Sequence, residues 1–194
     1  MLIYIHGFNS SALSYKAGLV RKRMIELGRA EMFLCPELPP SPRNAIGLLE
    51  HEIEAHGREN VSLIGSSLGG YYATWLAERH GVRAALVNPA VAPSELLKSY
   101  VGPQKNLYTG VCYELEECHL AELRELEMEH ITPSRCLLLL VTTGDEVLDY
   151  RDAVRKYRGC EQVVVEGGDH GFSNIEHYLG RILAYCGIRR ESHA

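Results

Sequence analysis

A serine enclosed by glycines is the feature of this chain that most directly indicates chemistry. Residues 65–69 read GSSLG, directly after the apolar run 61–64 and directly before a helix-forming stretch that begins at Tyr71. A Gly-x-Ser-x-Gly sequence between a strand and a helix is typical of a nucleophile elbow, a sharp turn that presents its central serine to substrate. The pattern therefore predicts Ser67 as a catalytic nucleophile; the alternative is a glycine-rich turn without chemistry.

The neighbours of Ser67 fit the requirements of such a turn. An elbow holds its serine in a strained backbone conformation, and side chains two positions away on either side would crowd each other, so Gly65 and Gly69 suit those positions. The amide of Leu68 falls at the predicted start of a helix, where N–H groups lack partners and the helix dipole favours negative charge. We expect this amide to form half of an oxyanion hole. Ser66 is the weaker candidate nucleophile because it belongs to the end of the strand.

A serine nucleophile needs a histidine as its base and a carboxylate that orients the histidine. The chain has nine histidines. Among them, His170 lies in the glycine-rich segment 167–171, which follows the last strand-like run, 163–165. Open α/β sheets place their sites at the carboxyl ends of strands. His170 is therefore the predicted base, with a solvent-exposed turn histidine as the alternative.

The orienting carboxylate is sought between the serine and the histidine, because triads built on such elbows run Ser, Asp or Glu, His along the chain. The apolar run 136–142 leads into Asp145, which leaves its strand at the same edge as the other two residues. Asp149 is the rival, but we expect it to cap the next helix. Glu146 is expected to point outward, and Asp169 is interpreted as a turn residue beside the histidine.

The loop after the first strand, 6–10, should supply the second oxyanion donor. Gly7 lets the backbone approach substrate closely, and the amide of Phe8 is the predicted donor. His6 ends the first strand, so we expect it to support this loop rather than to take part in proton transfer.

Short strand-like runs alternate with longer helical patterns along the chain, which predicts βαβ units and a parallel sheet. The predicted strands are 2–5, 31–34, 61–65, 83–87, 136–142 and 162–165. The predicted helices are about 14–27, 44–57, 70–80, 149–157 and 173–185.

One long insertion, about 90–132, breaks this alternation. Leucines recur at helical spacing beside glutamates within it, which predicts helices. A long insertion in a compact domain is often a lid, and the alternative is a pair of solvated helices packed on the body. The domain prediction is thus a single domain, 1–188, with a cap insertion and a frayed tail, 189–194.

Composition excludes several classes of function. The chain has 194 residues and a net charge of −5, which argues against nucleic acid or an anionic membrane as the main partner. No signal peptide or membrane-spanning run is visible. Six cysteines without a CxxC pair indicate reduced thiols and a cytoplasmic location. The predicted partner is a small-molecule ester or thioester, and the sequence leaves the oligomeric state open.

No cofactor or metal is predicted. Residues 51–56 read HEIEAH, one residue longer than a zinc-binding HExxH, so the two histidines would lie roughly 140° apart on a helix instead of sharing a face. A nucleotide-binding interpretation fails as well, because the chain has neither a Walker lysine nor a GxGxxG sequence.

Taken together, these motifs resemble the α/β-hydrolase superfamily and, more narrowly, the small bacterial esterases of the YqiA type. The similarity extends over about residues 1–187, and the matching segments are 4–10, 63–70, 88–90, 143–150 and 167–170. The resemblance implies Ser67, Asp145 and His170 as the triad, and esterase activity on short-chain or thioester acyl groups. It also implies a minimal α/β-hydrolase fold of about six parallel strands in the order 2-1-3-4-5-6, flanked by helices, with a small helical cap.

Two other functions remain open from the sequence. One is a thioesterase acting on acyl-CoA or acyl-carrier protein. Basic residues near the mouth of the site, Lys16 and the cluster 21–23, would favour it, although they also fit a solvated helix face. The other is a catalytically inactive hydrolase fold that serves as a binding module, since fold alone does not decide function.

Overall fold

A computed structural model describes residues 1–132 and 136–188 of the chain. These residues form eight strands. The predicted frayed tail, 189–194, lies outside the described residues. The strands are β1 (Leu2–Ile5), β2 (Phe33–Leu34), β3 (Ser62–Ser66), β4 (Arg83–Val87), β5 (Gly102–Lys105), β6 (Cys112–Leu115), β7 (Leu137–Thr142) and β8 (Glu161–Val165).

Six of these strands form one parallel sheet in the order β2-β1-β3-β4-β7-β8. Numbered along the sheet's own strands, this is the predicted order 2-1-3-4-5-6, which is confirmed. The order reverses between β1 and β3, so the loops that follow these two strands lie side by side at the carboxyl edge. The predicted second strand is shorter than expected, because residues 30–32 form a single 3₁₀ turn before β2.

Within the described residues, seven α-helices connect or flank the strands. They are α1 (Tyr15–Glu26), α2 (Pro42–His56), α3 (Leu68–His80), α4 (Pro93–Leu96), α5 (Glu117–Glu125), α6 (Tyr150–Lys156) and α7 (Glu176–Tyr185). Local signals set several of their ends. The Ser41 side chain accepts the Asn44 amide at the start of α2, and α3 stops at Gly81, which has a left-handed φ of 70°.

The helices cover both faces of the sheet because alternate strand residues point to opposite sides. On β1, Ile3 and Ile5 pack toward the face covered by α2, α3 and α6, whereas Leu2 and Tyr4 pack toward α1 and α7. All four side chains are at most 1% exposed. Burial on both faces is characteristic of a parallel sheet, and it makes the sheet a rigid platform for the loops at its edge.

The insertion predicted as a helical cap contains a hairpin as well as helices. It holds α4 and α5, but between them β5 and β6 pair antiparallel. The periodicity of the leucines located α5 correctly, whereas the hairpin was missed because its strands are short and one of them, β5, is polar and interrupted by Pro103. α5 packs on α2 and α4, and it is the hairpin that contacts the loop after β1. No helix within the described ranges combines the length and the hydrophobicity needed to cross a membrane.

Candidate active site

Ser67 occupies a strained turn between β3 and α3. Its φ of 55° and ψ of −121° lie in a region that non-glycine residues rarely adopt. A Cβ added to Gly65 would lie 2.3 Å from the carbonyl oxygen of Gly69, and one added to Gly69 would lie 2.0 Å from the carbonyl oxygen of Ile5. The two glycines therefore let the turn close on itself and seat against the end of β1.

Three residues distant in the chain form a continuous set of hydrogen bonds at this edge of the sheet. Nε2 of His170 lies 3.1 Å from Oγ of Ser67, and Nδ1 of His170 lies 2.9 Å from Oδ2 of Asp145. They come from the loops that follow β3, β7 and β8. The Asp145 side chain is 2% exposed, whereas the imidazole is 21% exposed and accessible from the cavity.

Asp145 is held as a carboxylate by its surroundings. Burial by itself raises its pKa, but hydrogen bonds from His170 and from the amides of Leu148 and Val147 outweigh burial, so the pKa lies below its ordinary value. An ionised Asp145 accepts the Nδ1 proton of the imidazole. Nε2 is then left as an acceptor for the hydroxyl of Ser67, which is the arrangement that a general base requires.

The rival carboxylates have other partners. Asp149 accepts the amide of Arg151 as the N-cap of α6, and Asp169 accepts the amide of Ser173 within its own turn. Glu146 is solvent-exposed, as expected, and its Oε2 also accepts the backbone amide of His170 at 3.0 Å. The tight turn after β7 brings its carboxylate to the neighbouring loop, a contact that residue spacing does not reveal.

The two predicted oxyanion donors belong to the loop after β1 and to the first residue of α3. Within residues 1–132 and 136–188, neither the Phe8 amide nor the Leu68 amide is paired with an acceptor. Gly7 permits the close approach of their loops, since a Cβ there would lie 3.1 Å from the Cβ of Ser67. Two unengaged amides next to a serine hydroxyl are the groups that stabilise a developing oxyanion.

His6 supports the first of these loops. Its buried ring contacts the Gly7 carbonyl through Nδ1 at 3.1 Å, and Nε2 accepts the Leu38 amide at 3.3 Å. Burial lowers its pKa, which favours the neutral ring with its proton on Nδ1. These contacts suit the scaffolding role that its position predicted.

Two polar residues that sequence reasoning left without a role hold the histidine loop. Asn88, at the end of β4, and Thr142, at the end of β7, are both buried. The Asn88 Nδ2 donates to the carbonyl oxygens of Asp169 at 3.1 Å and His170 at 3.2 Å, and its Oδ1 accepts the Thr142 amide at 3.0 Å. The sequence signal that could have identified Asn88 and Thr142 is a polar residue at the end of an apolar strand.

The hairpin holds the oxyanion loop in a similar way. Asn9, at a φ of 52°, donates to Gln104 at 3.0 Å and accepts the Tyr113 hydroxyl at 2.8 Å. The side chain of Asn106 donates to the carbonyl oxygen of Ser10 at 2.7 Å. Because these partners are about a hundred residues away in sequence, only the folded chain identifies them.

Two cavities share the loop 7–10 as a wall, and Ser67 lines one of them. One, of about 300 Å³, is lined by Ser67, His170 and Lys16, together with Leu107 and Tyr108 from the tip of the hairpin. The other, of about 260 Å³, is mainly apolar and adjoins the two predicted oxyanion donors. It is lined by residues that include Phe8, Leu38, Leu68, Tyr72 and Val111.

The described residues offer no ready metal site. Within the two described ranges, no three His, Cys, Asp or Glu side chains are grouped as a metal ion would require. In the HEIEAH segment, the imidazole of His56 lies 3.7 Å from the carboxylate of Glu52, one turn away on α2. This is an ordinary surface pair on a helix.

The fold, with its elbow serine, histidine and aspartate at the carboxyl edge of the sheet, defines an α/β hydrolase-fold protein. Residues 1–187 match the model of an "Uncharacterised protein family (UPF0227)", and the chain belongs to this family. A UPF0227 protein of Citrobacter koseri is 26% identical over 190 residues, covering 95% of this chain and 98% of the relative.

Solved structures of the same fold are more distant in sequence. A putative hydrolase from Agrobacterium vitis superposes with a TM-score of 0.70 at 16% identity, covering 95% of this chain and 87% of the other. Est1E from Butyrivibrio proteoclasticus, in a structure with ferulic acid bound, gives a TM-score of 0.68 at 14% identity over 96% and 86% of the two chains. At such identities the likeness concerns the fold.

Proposed function

We propose that this protein is a serine esterase that hydrolyses carboxylic esters or thioesters with short acyl groups through an acyl-enzyme. The observation that carries the proposal is the hydrogen-bonded series from Ser67 Oγ through His170 to Asp145, with contacts of 3.1 and 2.9 Å. A hydroxyl paired with an imidazole that a carboxylate orients is an activated nucleophile.

In the first half of the proposed reaction, Nε2 of His170 takes the hydroxyl proton as Oγ of Ser67 attacks the acyl carbonyl. The new C–O bond gives a tetrahedral intermediate whose oxyanion accepts the amides of Phe8 and Leu68. The intermediate collapses by breaking the bond to the leaving oxygen or sulfur, which receives the proton from His170. Asp145 stabilises the imidazolium throughout.

In the second half, a water molecule gives its proton to His170 and attacks the acyl-enzyme carbonyl. The second tetrahedral intermediate releases the carboxylic acid and returns the proton to Ser67. No cofactor takes part in these steps, because acyl transfer by a triad involves proton transfer and electrostatic stabilisation alone.

The sizes of the two cavities support a small substrate. Volumes of about 260 and 300 Å³ lie just below and at the lower end of the range for small-molecule sites. The tip of the hairpin borders the serine cavity through Leu107 and Tyr108, which supports a capping role for the insertion. The names of the two structural neighbours, a putative hydrolase and a ferulate-bound Est1E, agree with a hydrolytic function.

Labelling with a fluorophosphonate probe tests the nucleophile. The wild-type protein should be labelled, and Ser67→Ala should abolish labelling while its far-UV circular dichroism and melting temperature stay close to those of wild type. Ser66→Ala is the matched control, since this buried neighbour belongs to β3 and should leave labelling intact. Labelling of Ser67→Ala at the wild-type rate would defeat the proposal and indicate another nucleophile, whereas a wild-type protein that is not labelled would favour the inactive binding module.

The kind of ester is tested by turnover. p-Nitrophenyl esters of graded acyl length should show the highest kcat/KM for short chains, with a decline once the acyl group exceeds the apolar cavity. Matched oxygen and sulfur esters of the same acyl group separate an esterase from a thioesterase. A kcat/KM that keeps rising with chain length would contradict the short-chain assignment while leaving the serine mechanism intact.

A further inference from the structure

One lysine lines the cavity that contains the serine. Among the described residues that line this cavity, Lys16 is the one side chain of the Lys or Arg type. It lies in the first turn of α1, and its Nζ is 3.4 Å from the carbonyl oxygen of His170. The ammonium group is therefore next to the residue proposed to protonate the leaving group.

Lys16 differs from the other basic residues of the same helix. Arg21 lies over the ring of Phe33, and Arg23 pairs with Glu26. Lys22 is exposed to solvent. Within the described ranges, Lys16 has no carboxylate within 4.0 Å of its nitrogen, so its single hydrogen bond leaves two of its three N–H donors available. A free ammonium at the wall of a catalytic cavity needs a physical reason.

The cation is maintained despite partial burial. Burial lowers the pKa of Lys16 to about 8, while Asp169 and Asp145 oppose the decrease from a distance. The group is consequently charged at neutral pH and poorly solvated. A bound anion would supply the partner that the protein does not.

The chemistry of the serine identifies which part of a substrate reaches this lysine. His170 delivers its proton to the leaving group, so the leaving group lies on the His170 side, in the cavity that Lys16 lines. The acyl group then occupies the apolar cavity beside Phe8 and Leu68. An anionic group near Lys16 therefore belongs to the alcohol or thiol part of the substrate.

We propose that Lys16 binds an anionic oxyacid group, a carboxylate or a phosphate, on the leaving-group side of the substrate. This inference rests on the proposed esterase function. The natural substrates are then acyl esters or thioesters of an acidic alcohol or thiol. Asp169 lines the same cavity, but its carboxylate is engaged by the Ser173 amide at 3.0 Å. It weakens the attraction without removing it.

The test uses two butyrate esters that differ by one charge, those of 4-nitrophenol and of 5-hydroxy-2-nitrobenzoate. The measured quantity is the ratio of kcat/KM for the anionic ester to kcat/KM for the neutral ester. A charge-assisted hydrogen bond predicts that Lys16→Met lowers this ratio by about 10- to 100-fold. Lys22→Met, six residues along the same helix, is the matched control and should leave the ratio unchanged.

Two further measurements constrain the interpretation. Asp169→Asn keeps an acceptor for the Ser173 amide but removes a negative charge, so it should raise the ratio. In the wild type, the ratio should fall as pH rises through about 8, because Lys16 loses its charge. The other titratable groups at the cavity, Tyr4, Tyr15, Tyr108, Asp145, Asp169 and His170, also act on the charged ester. The same pH series on Lys16→Met isolates the contribution of Lys16, which is the part of the pH dependence that this variant loses.

A third butyrate ester carries a phosphate in place of the carboxylate on the same ring. The oxyacid that gives the larger ratio in the wild type is the preferred one. A ratio that is the same in wild type and Lys16→Met, both in size and in its dependence on pH, overturns the proposal. The esterase function would survive that result as long as the neutral ester is hydrolysed and Ser67 is labelled. If the neutral ester were not hydrolysed and Ser67 were not labelled, the esterase function itself would be refuted.

Discussion

Replacing Asn88 by alanine should both destabilise the protein and misplace His170, the proposed catalytic base. The Asn88 side chain is buried, accepts the Thr142 amide at 3.0 Å and donates to the carbonyl oxygens of Asp169 and His170. Those two carbonyls keep other donors, from Thr142 and Lys16 respectively. The Thr142 amide, at 0% exposure, would be left without its acceptor.

The size of the effect follows from these contacts. An unpaired buried amide costs about 1–3 kcal/mol. The φ of 42° at Asn88 is tolerated by asparagine and adds about 1–2 kcal/mol for alanine. The two effects sum to a loss of about 2–5 kcal/mol in the free energy of unfolding. Because the histidine loop loses a donor that spans two of its carbonyls, kcat should also fall, by up to about 100-fold.

Urea denaturation followed by circular dichroism, with kcat for 4-nitrophenyl butyrate, measures both effects. Asn88→Asp provides a diagnostic second variant, because it retains the acceptor for Thr142 but places an oxygen against the carbonyl oxygens of Asp169 and His170. It should be strongly destabilised at pH 7 and recover as pH falls, since a protonated carboxyl regains a donor. Asn44→Ala, on the exposed face of α2, is the control and should change the stability by no more than about 0.5 kcal/mol.

A free energy of unfolding that falls by less than about 1 kcal/mol in Asn88→Ala, together with the wild-type kcat, would refute this prediction. The Asn88 side chain would then contribute neither to stability nor to the position of His170.

Three other predictions follow from the site. Gly69→Ala places a Cβ 2.0 Å from a carbonyl oxygen of β1, so it should cost at least about 3 kcal/mol by urea denaturation; Gly47→Ala on α2, where a Cβ meets nothing within 4 Å, should instead stabilise by up to about 1 kcal/mol. Tyr113→Phe removes the hydroxyl that donates to Asn9; kcat should fall about 10-fold with a stability change near 1 kcal/mol, and an unaltered kcat would show that the hairpin does not position the oxyanion loop. Asp145→Asn should lower kcat by about 10⁴-fold. Since the folded pKa of Asp145 is depressed, its ionic contribution to stability is present above about pH 4 and is lost as pH falls through the folded value. The stability difference between wild type and Asp145→Asn, followed by urea denaturation across pH, should therefore shrink on acidification, and a difference that grows would contradict the assigned hydrogen bonds.

Much of the sheet and the three central residues were predictable because their signals are local. An apolar run followed by GSSLG or GGDHG specifies a strand and the turn that ends it, within about ten residues. Once the strands are parallel, their carboxyl ends meet at one edge, so Ser67, Asp145 and His170 had to approach one another. The strand order followed from the same alternation together with the family resemblance, and the structure confirms it.

The parts that sequence reasoning missed depend on side chains that meet across long separations. β5 reads GPQK and shows no apolar alternation, and the stabilising contacts of the hairpin include bonds to Asn9 about a hundred residues earlier. Glu146 turns back to the amide of His170 through a loop conformation that its neighbours in sequence do not specify.

The sequence by itself determined the kind of fold and which side chains could do chemistry, since strand periodicity and turn residues act over short stretches of chain. Only the tertiary structure decided which cavity each group faces. Lys16 and Lys22 lie on one helix and look alike in sequence, yet packing puts the first at the serine cavity and leaves the second in solvent. Burial and charge pairing are properties of the packed whole, so they appear only after distant segments have come together.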